Sequence, residues 1–527
     1  MTRLCVAITV VSLDQALSEA AVAVENGADI VEYRVDSFNE LVGVAELVRR
    51  SPVGCVVTCR PTWEGGMCEL PDQERIPVLE SASLAGAEYI DVELVSYRRS
   101  ANLRQKVHFN AGAAVDQTAP RVDRKGLIVS SHDFEGRPAR LNNLVAELND
   151  TGCDVCKIVW TARTVRDNLE AFEILRHRGK PTIALCMGES GLLSRILAPK
   201  FGAFLTFASP KAGAGTAPGQ VSLREMIELY RFRSIGPGTA VYGVVGHPVS
   251  HSLSPHVHNA AFAREGIDAV YVPLPVAPGY ESFKAFMETL GRDEHLDLRG
   301  VSVTLPHKQN AHRYLVESGG ELSEIAAATG AVNTIALSRD GGQLKLRGTS
   351  TDHAAILHCV RTGLGAADLA GVEIAVIGAG GTGRTAVAAL THAGASVTIY
   401  NRTLDRAQAL AAELKATAKP LAELPGSTCR VFVQTTSVGM APDHDDSAWG
   451  GKLPPLGRGC VAFDTVYTPM TTAFLRQAAE AGAVTVPGIE MFAHQAGAQF
   501  AFWTGFEVPL HVFRDRAEEE LVYRGLA

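Results

Sequence analysis

The chemistry-bearing residue that stands out most is a lysine inside an apolar run. Lys157 lies between Val155, Cys156, Ile158 and Val159, and a central strand of that composition leaves an amine little access to water. A free lysine has a pKa of about 10.4, so only about one amine in a thousand is neutral at pH 7. Burial or a nearby cation disfavours the ammonium and yields the neutral amine that attacks a ketone. Periodicity alone fits a lysine paired with a strand carboxylate equally well. His132, closing another apolar run, shifts the reading toward catalysis, because Schiff-base chemistry needs a proton shuttle and imidazole titrates near neutral pH. Other polar groups end or interrupt strands: Glu32 alternating with Arg34, Arg60 followed by Glu64-Gly65-Gly66, and Asp91 with Glu93.

A second chemistry sits further along. Gly378-Ala379-Gly380-Gly381-Thr382-Gly383 follows the apolar run 374–377 and precedes an alanine-rich stretch. In strand–turn–helix context such glycines bring backbone N–H groups and a helix N-terminus to a dinucleotide pyrophosphate; a glycine turn without a ligand is the alternative. After the next strand, 396–400, stands Asn401-Arg402-Thr403 rather than an acidic residue. Arg402 would attract a 2′-phosphate that an aspartate would repel, which favours NADP over NAD.

These groups need elements to hold them. Apolar strand candidates at 5–10, 30–36, 55–60, 89–95, 127–132, 155–160, 182–187 and 204–208 alternate with helical stretches. Eight such units in about 230 residues suit an α/β fold of the (β/α)₈ barrel kind, an open α/β sheet being the runner-up. The pattern loosens at Ser234-Ile235-Gly236-Pro237-Gly238-Thr239, a natural connector. Alternation restarts with AVYGVVG from Ala240, with strands near 268–273 and 300–304, and 487–527 is helical in pattern. The predicted domains are 1–234, a barrel; 239–342, completed by 488–527; and 343–487, a Rossmann-type cofactor domain.

With 527 residues, 46% hydrophobic and 20% charged, the chain has the composition of a multidomain globular protein. A net charge of −8 argues against a nucleic-acid footprint. No apolar run reaches the roughly 20 residues that span a bilayer. The first residues resemble a signal peptide only superficially, since Ser12 and Asp14 interrupt them. Ten cysteines spread through a long chain suit a reducing, cytoplasmic setting. Cys153 and Cys156 form a C-x-x-C without a second ligand pair, which makes redox or zinc use the minor reading. His247, His251, His256 and His258 have no common ligand spacing and no acidic neighbour, so no metal is expected.

The first half resembles type I dehydroquinate dehydratase. EYRVD (32–36), TCRPTWEGG (58–66), SSHDF (130–134), CKIV (156–159), MGESGLLSR (187–195) and APGQ (217–220) occur in family order. The resemblance implies that Lys157 forms an imine with the C3 ketone of 3-dehydroquinate, that His132 moves the C2 proton and helps expel the C1 hydroxyl, and that Glu64 orients the imidazole. It further implies that Arg195 holds the substrate carboxylate, that Glu32, Arg34, Arg60 and Gln220 contact ring hydroxyls, and that Met187 and Thr216 complete the pocket.

The second half is similar to shikimate dehydrogenase, through HSLSPHVHNA (251–260), VSVTLPHK (301–308), GAVNT (330–334), GTSTD (348–352), TTSVGM (435–440), DTVYTP (464–469) and QAGAQFAFWTG (495–505). This implies that Ser252, Ser254, Thr304, Asn333, Tyr467 and Gln495 surround shikimate, with Lys308 and Asp352 as the acid–base pair. NADP would lie on residues 378–383, Asn401, Arg402, Thr403, Thr436 and Gly488. Ser350 departs from the Asn common in the family, which bears on fine substrate positioning. The two resemblances together imply successive steps on small-molecule substrates, 3-dehydroquinate to 3-dehydroshikimate to shikimate. Two rivals share these domains: a non-catalytic sensor, whose marks would be loss of Lys157, His132, Lys308 or Asp352, and a quinate dehydrogenase, which would need more room beside the substrate carboxylate. The sequence sets no oligomeric state.

Overall fold

The computed structural model describes residues 1–38, 40–108, 126–210, 219–441 and 453–526. The chain forms two compact units, Met1–Thr239 and Ala240–Ala527. The first therefore runs past the expected end at 234. Thr239 is held within it, its carbonyl accepting from Lys200 Nζ at 2.7 Å.

In the first unit, strands β1 (Arg3–Thr9), β2 (Ile30–Arg34), β3 (Cys55–Thr58), β4 (Tyr89–Glu93), β5 (Gly126–Asp133), β6 (Val155–Thr161), β7 (Thr182–Met187) and β8 (Leu205–Ala208) make one parallel sheet. Its order is β7-β6-β5-β4-β3-β2-β1-β8. The ends approach each other where the Phe204 N–H donates to the Thr182 carbonyl at 2.9 Å. This is a nearly closed eight-stranded barrel. Its interior is filled by alternate residues, among them Cys5, Ile30, Val56, Ile128, Val155, Val159, Ile183, Leu185 and Phe207, as strand pleating requires. Four strands end before the expected residue: β1 at Thr9, β2 at Arg34, β3 at Thr58, two residues before Arg60, and β4 at Glu93, after which Leu94–Arg99 is already helical.

The second unit holds two sheets. The first comprises β9 (Ala240–Gly246), β10 (Ala269–Pro275), β11 (Leu298–Val303), β12 (Glu321–Leu322), β13 (Thr334–Asp340) and β14 (Gln343–Thr349), in the order β10-β9-β11-β13-β14-β12. Pairing is parallel among β10, β9 and β11, and antiparallel from β11 through β13 to β14. The expected boundary at 342/343 cuts the β13–β14 hairpin. Gly341 and Gly342, at φ of 58° and 82°, form its two-residue turn, the backbone that suits a tight hairpin. Strand β14 therefore belongs to the first sheet, not to the cofactor domain. Helices Ser254–Arg264, Gly488–Thr504 and Leu510–Tyr523 bury an apolar cluster against β9 and β10.

The second sheet comprises β15 (Glu373–Ile377), β16 (Ser396–Asn401), β17 (Thr417–Pro420), β18 (Val431–Gln434), β19 (Val461–Asp464) and β20 (Val484–Val486). It is all parallel, ordered β17-β16-β15-β18-β19-β20. Counted within the sheet this is the 3-2-1-4-5-6 order of dinucleotide-binding folds, with the switch point between β15 and β18. Among the described residues no helix is long and apolar enough to cross a membrane, and all ten cysteines are free thiols.

Candidate active sites

Pleating sends Val155, Lys157 and Val159 of β6 to one face, and the two valines belong to the barrel filling, so Lys157 points into the same interior. Its Nζ lies 2.8 Å from Asp91 Oδ2 and 3.3 Å from Glu32 Oε1, with the Phe207 ring centre 4.7 Å away. Burial and carboxylate pairing, alternatives for this lysine in the sequence, occur together. Two carboxylates thus face the buried amine. Asp91 is itself wholly buried; burial pushes its carboxyl up, but Arg60 and Lys157 outweigh that and hold it below the usual range.

His132 is the penultimate residue of β5, which pairs with β6 so that Ser130 lies beside Lys157 and His132 beside Val159. The lysine and the imidazole thus share one cavity, together with Glu32, Arg34, Arg60, Glu64, Met187, Arg195 and Gln220. His132 Nδ1 is 3.0 Å from Glu64 Oε2. Glu64 is delivered by the short 3₁₀ turn Thr62–Glu64, which Gly65 ends at φ 74°. A side chain at Gly65 would meet the Phe134 ring at 2.2 Å, and that ring lies 6.5 Å from His132. Burial raises Glu64 to about 8 against the pull of Arg60. Burial, then the charges of Arg60 and Lys157, push His132 well below the ordinary imidazole range. At neutral pH the imidazole is therefore an uncharged base.

Arg60 lines the cavity, but its guanidinium is tied to Asp91 (2.8 Å), Glu93 (2.8 Å) and Ser130 (2.7 Å). Burial lowers its basicity and the surrounding carboxylates more than restore it. Arg34 is paired through both arms with Asp36, and Glu32 accepts from Thr58 at 2.8 Å. Arg195 differs: it is 1% exposed, on helix Leu192–Ile196, and its Nε has no hydrogen-bond partner among the described residues. Burial lowers it to about 10. A buried guanidinium without a carboxylate is costly and marks a place for a ligand's anion. Thr216 lies outside the described residues. Asp91, Glu93, Ser130 and Phe207 complete the site without having been singled out as site residues. The alternation of Asp91 and Glu93 on β4 was the available signal.

In the second unit Lys308 begins helix Lys308–Ser318, and Asp352 sits in the first turn of helix Thr351–Leu364. Nζ and Oδ2 are 2.6 Å apart, the lysine 13% and the aspartate 5% exposed. Asn333 accepts from the Thr351 N–H at 2.9 Å and donates to Gln495 Oε1 at 3.5 Å. Ser350 is the residue before that helix, with no side-chain capping bond. Leu253 occupies the cap position of helix Ser254–Arg264 and makes no side-chain bond to it, while the Ser252 hydroxyl accepts from the Ser254 N–H at 3.2 Å. Thr304 follows β11, and the Tyr467 ring packs 4.8 Å from Phe492. Beneath them runs a chain the sequence reading missed: Tyr271 donates to Ser302 (2.7 Å), Ser302 to Gln499 (2.9 Å), and Gln499 to the Asn333 carbonyl (3.2 Å). Gln499 stands four residues after Gln495 on one helix, which places both on one face. Among the described residues no three His, Cys, Asp or Glu side chains are grouped to hold a metal.

The glycine loop lies at the switch point. Gly378 has φ 112°, and a Cβ at Gly383 would come 2.4 Å from the Gly378 carbonyl, so both positions require glycine. A Cβ at Gly380 would meet nothing within 4 Å, leaving open space before the N-terminus of helix Gly381–His392, of which Thr382 is the second residue. A Cβ on Gly381 would lie 4.0 Å from Lys308 Cδ, so the loop abuts the Lys308–Asp352 pair. Ala379 is the residue between the first two glycines, and Thr436, past β18, accepts from the Val438 N–H at 3.2 Å. Arg402 is exposed, without an ion-pair partner among the described residues, and Asn401 donates to the Thr403 carbonyl at 2.8 Å. Gly488 starts its helix where a Cβ would come 2.4 Å from the Val466 carbonyl. Open backbone, helix N-terminus and free cation fit a phosphorylated dinucleotide.

The type I 3-dehydroquinase family matches residues 4–237. The shikimate dehydrogenase substrate binding domain matches 244–335, shikimate / quinate 5-dehydrogenase 362–438, and the shikimate 5′-dehydrogenase C-terminal domain 488–518. The chloroplastic bifunctional 3-dehydroquinate dehydratase/shikimate dehydrogenase of Arabidopsis thaliana is 37% identical over 97% of this chain and 83% of its own length. The NADP(+) shikimate dehydrogenase of Methanothermobacter thermautotrophicus is 38% identical over 54% of this chain and 97% of its own. The pentafunctional AROM polypeptide of Mycosarcoma maydis is 31% identical over 92% of this chain and 30% of its own. With barrel and dinucleotide-type units in that order, the chain belongs to the family of bifunctional 3-dehydroquinate dehydratase/shikimate dehydrogenases.

Proposed function

We propose that the chain dehydrates 3-dehydroquinate at Lys157 and then reduces the product, 3-dehydroshikimate, to shikimate beside Lys308. In the barrel, the substrate carboxylate pairs with Arg195, whose buried Nε, without a partner among the described residues, is the observation that carries the reading. The Lys157 ammonium passes a proton to a neighbouring carboxylate, and the amine adds to the C3 ketone with loss of water, giving a protonated imine. That imine withdraws electrons, so the C2 proton becomes acidic enough for neutral His132 to remove. The electron pair forms the C1–C2 double bond as the C1 hydroxyl departs, protonated by the imidazolium. Water then hydrolyses the imine and restores Lys157. Glu64 keeps the Nδ1 side of the imidazole engaged, so Nε2 meets the substrate.

In the second unit, Ser252, Ser254, Asn333 and Gln495 hold the ring, and Lys308 donates a proton to the carbonyl oxygen of 3-dehydroshikimate while Asp352 keeps the ammonium in place. Bound NADPH supplies the hydride. Residues 378–383 receive its pyrophosphate and Arg402 its 2′-phosphate, the latter favouring NADP over NAD. Residues 240–349 with the C-terminal helices act as the substrate domain, and 373–486 as the cofactor domain. The free thiols fit a reducing compartment.

Borohydride added with 3-dehydroquinate tests the first step. The expected result is one irreversible adduct on the peptide containing Lys157; turnover without any trapped adduct, or an adduct elsewhere, overturns it.

A further inference from the structure

The first sheet of the second unit has a cavity at the end opposite Lys308, lined by residues from the start of β11, the end of β13 and the start of β14. Its volume is about 390 Å³, within the range of small-ligand sites. Lateral register aligns Tyr242 with Gly300, Gly300 with Ala336, and Ala336 with Arg347. Gly300 lets Trp503 and Tyr242 close on the strand, each 2.7 Å from where a Cβ would sit, which builds an aromatic wall. Three guanidiniums line the same space, from Arg299, Arg339 and Arg347, against one carboxylate, Asp297. Asp297 is paired with Arg299 at 2.9 Å. Arg339 uses one terminal nitrogen on the Arg292 carbonyl at 2.9 Å, and Arg347 lies 5.0 Å over the Phe502 ring.

Tyr242 adds a hydrogen-bond donor. Its ring lines the cavity, and its hydroxyl, open to that space, makes no hydrogen bond among the described residues. A hydroxyl open to the cavity, beside three guanidiniums that outnumber the one lining carboxylate, fits a multiply charged oxyanion.

We propose that this cavity binds a small phosphomonoester, its phosphate taken by Arg339, Arg347 and the Tyr242 hydroxyl, and its carbon body lying along Trp503 and Leu298. Guanidinium forks match phosphate oxygens, and a phosphate dianion matches the local charge where a single carboxylate does not. The volume exceeds what inorganic phosphate alone fills. The site is separate from the Lys157 and Lys308 pockets and does not depend on what they catalyse.

Calorimetric titration of the full chain, saturated with NADP and shikimate so that the Arg402 region is occupied, tests this with glycerol 3-phosphate, inorganic phosphate and acetate as probes. Expected is saturable binding of glycerol 3-phosphate with Kd below about 1 mM, weaker binding of phosphate, and none of acetate. Arg347→Gln should weaken binding about tenfold and Tyr242→Phe about threefold. Tyr242→Phe removes only a hydroxyl and keeps the wall, so it decides the matter should the arginine variant not fold. Unsaturable uptake, equal affinity for acetate, or unchanged binding in Tyr242→Phe overturns the proposal.

Discussion

His132 Nδ1 and Glu64 Oε2 lie 3.0 Å apart inside the barrel, and burial displaces the two groups in opposite directions, the imidazole down and the carboxyl up to about 8. Both are uncharged at pH 7. The base is therefore available without deprotonation, but its partner carboxyl becomes an anion only in mild alkali.

This gives a pH signature. As pH rises through about 8, Glu64 ionises and accepts a hydrogen bond from the Nδ1–H, which strengthens Nε2 as a base. Dehydratase kcat/KM should rise across that interval and show no step near the usual imidazole pKa. Glu64→Gln should lose the step. A profile in which the glutamine variant keeps the same limb at pH 8 assigns it to another group.

The two activities should fail separately, because Lys157 and Lys308 lie in different compact units. Lys157→Ala should lower dehydratase kcat by at least about 10⁴-fold and leave shikimate oxidation unchanged. Lys308→Ala and Asp352→Asn should do the reverse. Loss of both activities in any one of these variants, with the circular dichroism of the folded protein retained, contradicts that independence.

Arg195→Met should trade function for stability. The methionine removes a buried cation that has no carboxylate partner among the described residues, so the ligand-free protein should gain about 1–3 kcal/mol in denaturant unfolding. The KM for 3-dehydroquinate should rise about a hundredfold. A destabilised variant with an unchanged KM shows that the guanidinium is paired in solution.

Arg402→Ala should raise the KM for NADPH by about 10- to 100-fold and leave that for NADH where it is. The wild type should favour shikimate with NADP over quinate with NAD by more than about tenfold in kcat/KM. A preference for quinate with NAD reverses the substrate assignment of the second unit.

The sequence alone was enough to place the eight barrel strands to within a few residues. Periodicity and apolar runs depend on the local pleat and on burial, both of which a linear reading can follow. The β13–β14 hairpin is written locally too, in the Gly341-Gly342 turn. Lateral register is another matter. That Arg60 ties to Asp91, Glu93 and Ser130, that Lys157 meets Asp91 and Glu32, and that Gln499 links Ser302 to Asn333 follow from which strands and helices pair and at what offset. Those partners lie up to 197 residues apart. Alternation says which side of a strand a side chain takes, but only closure of the sheet sets who stands opposite. The charge balance around the amine, and with it the protonation of His132 and Glu64, was for that reason a property of the tertiary structure.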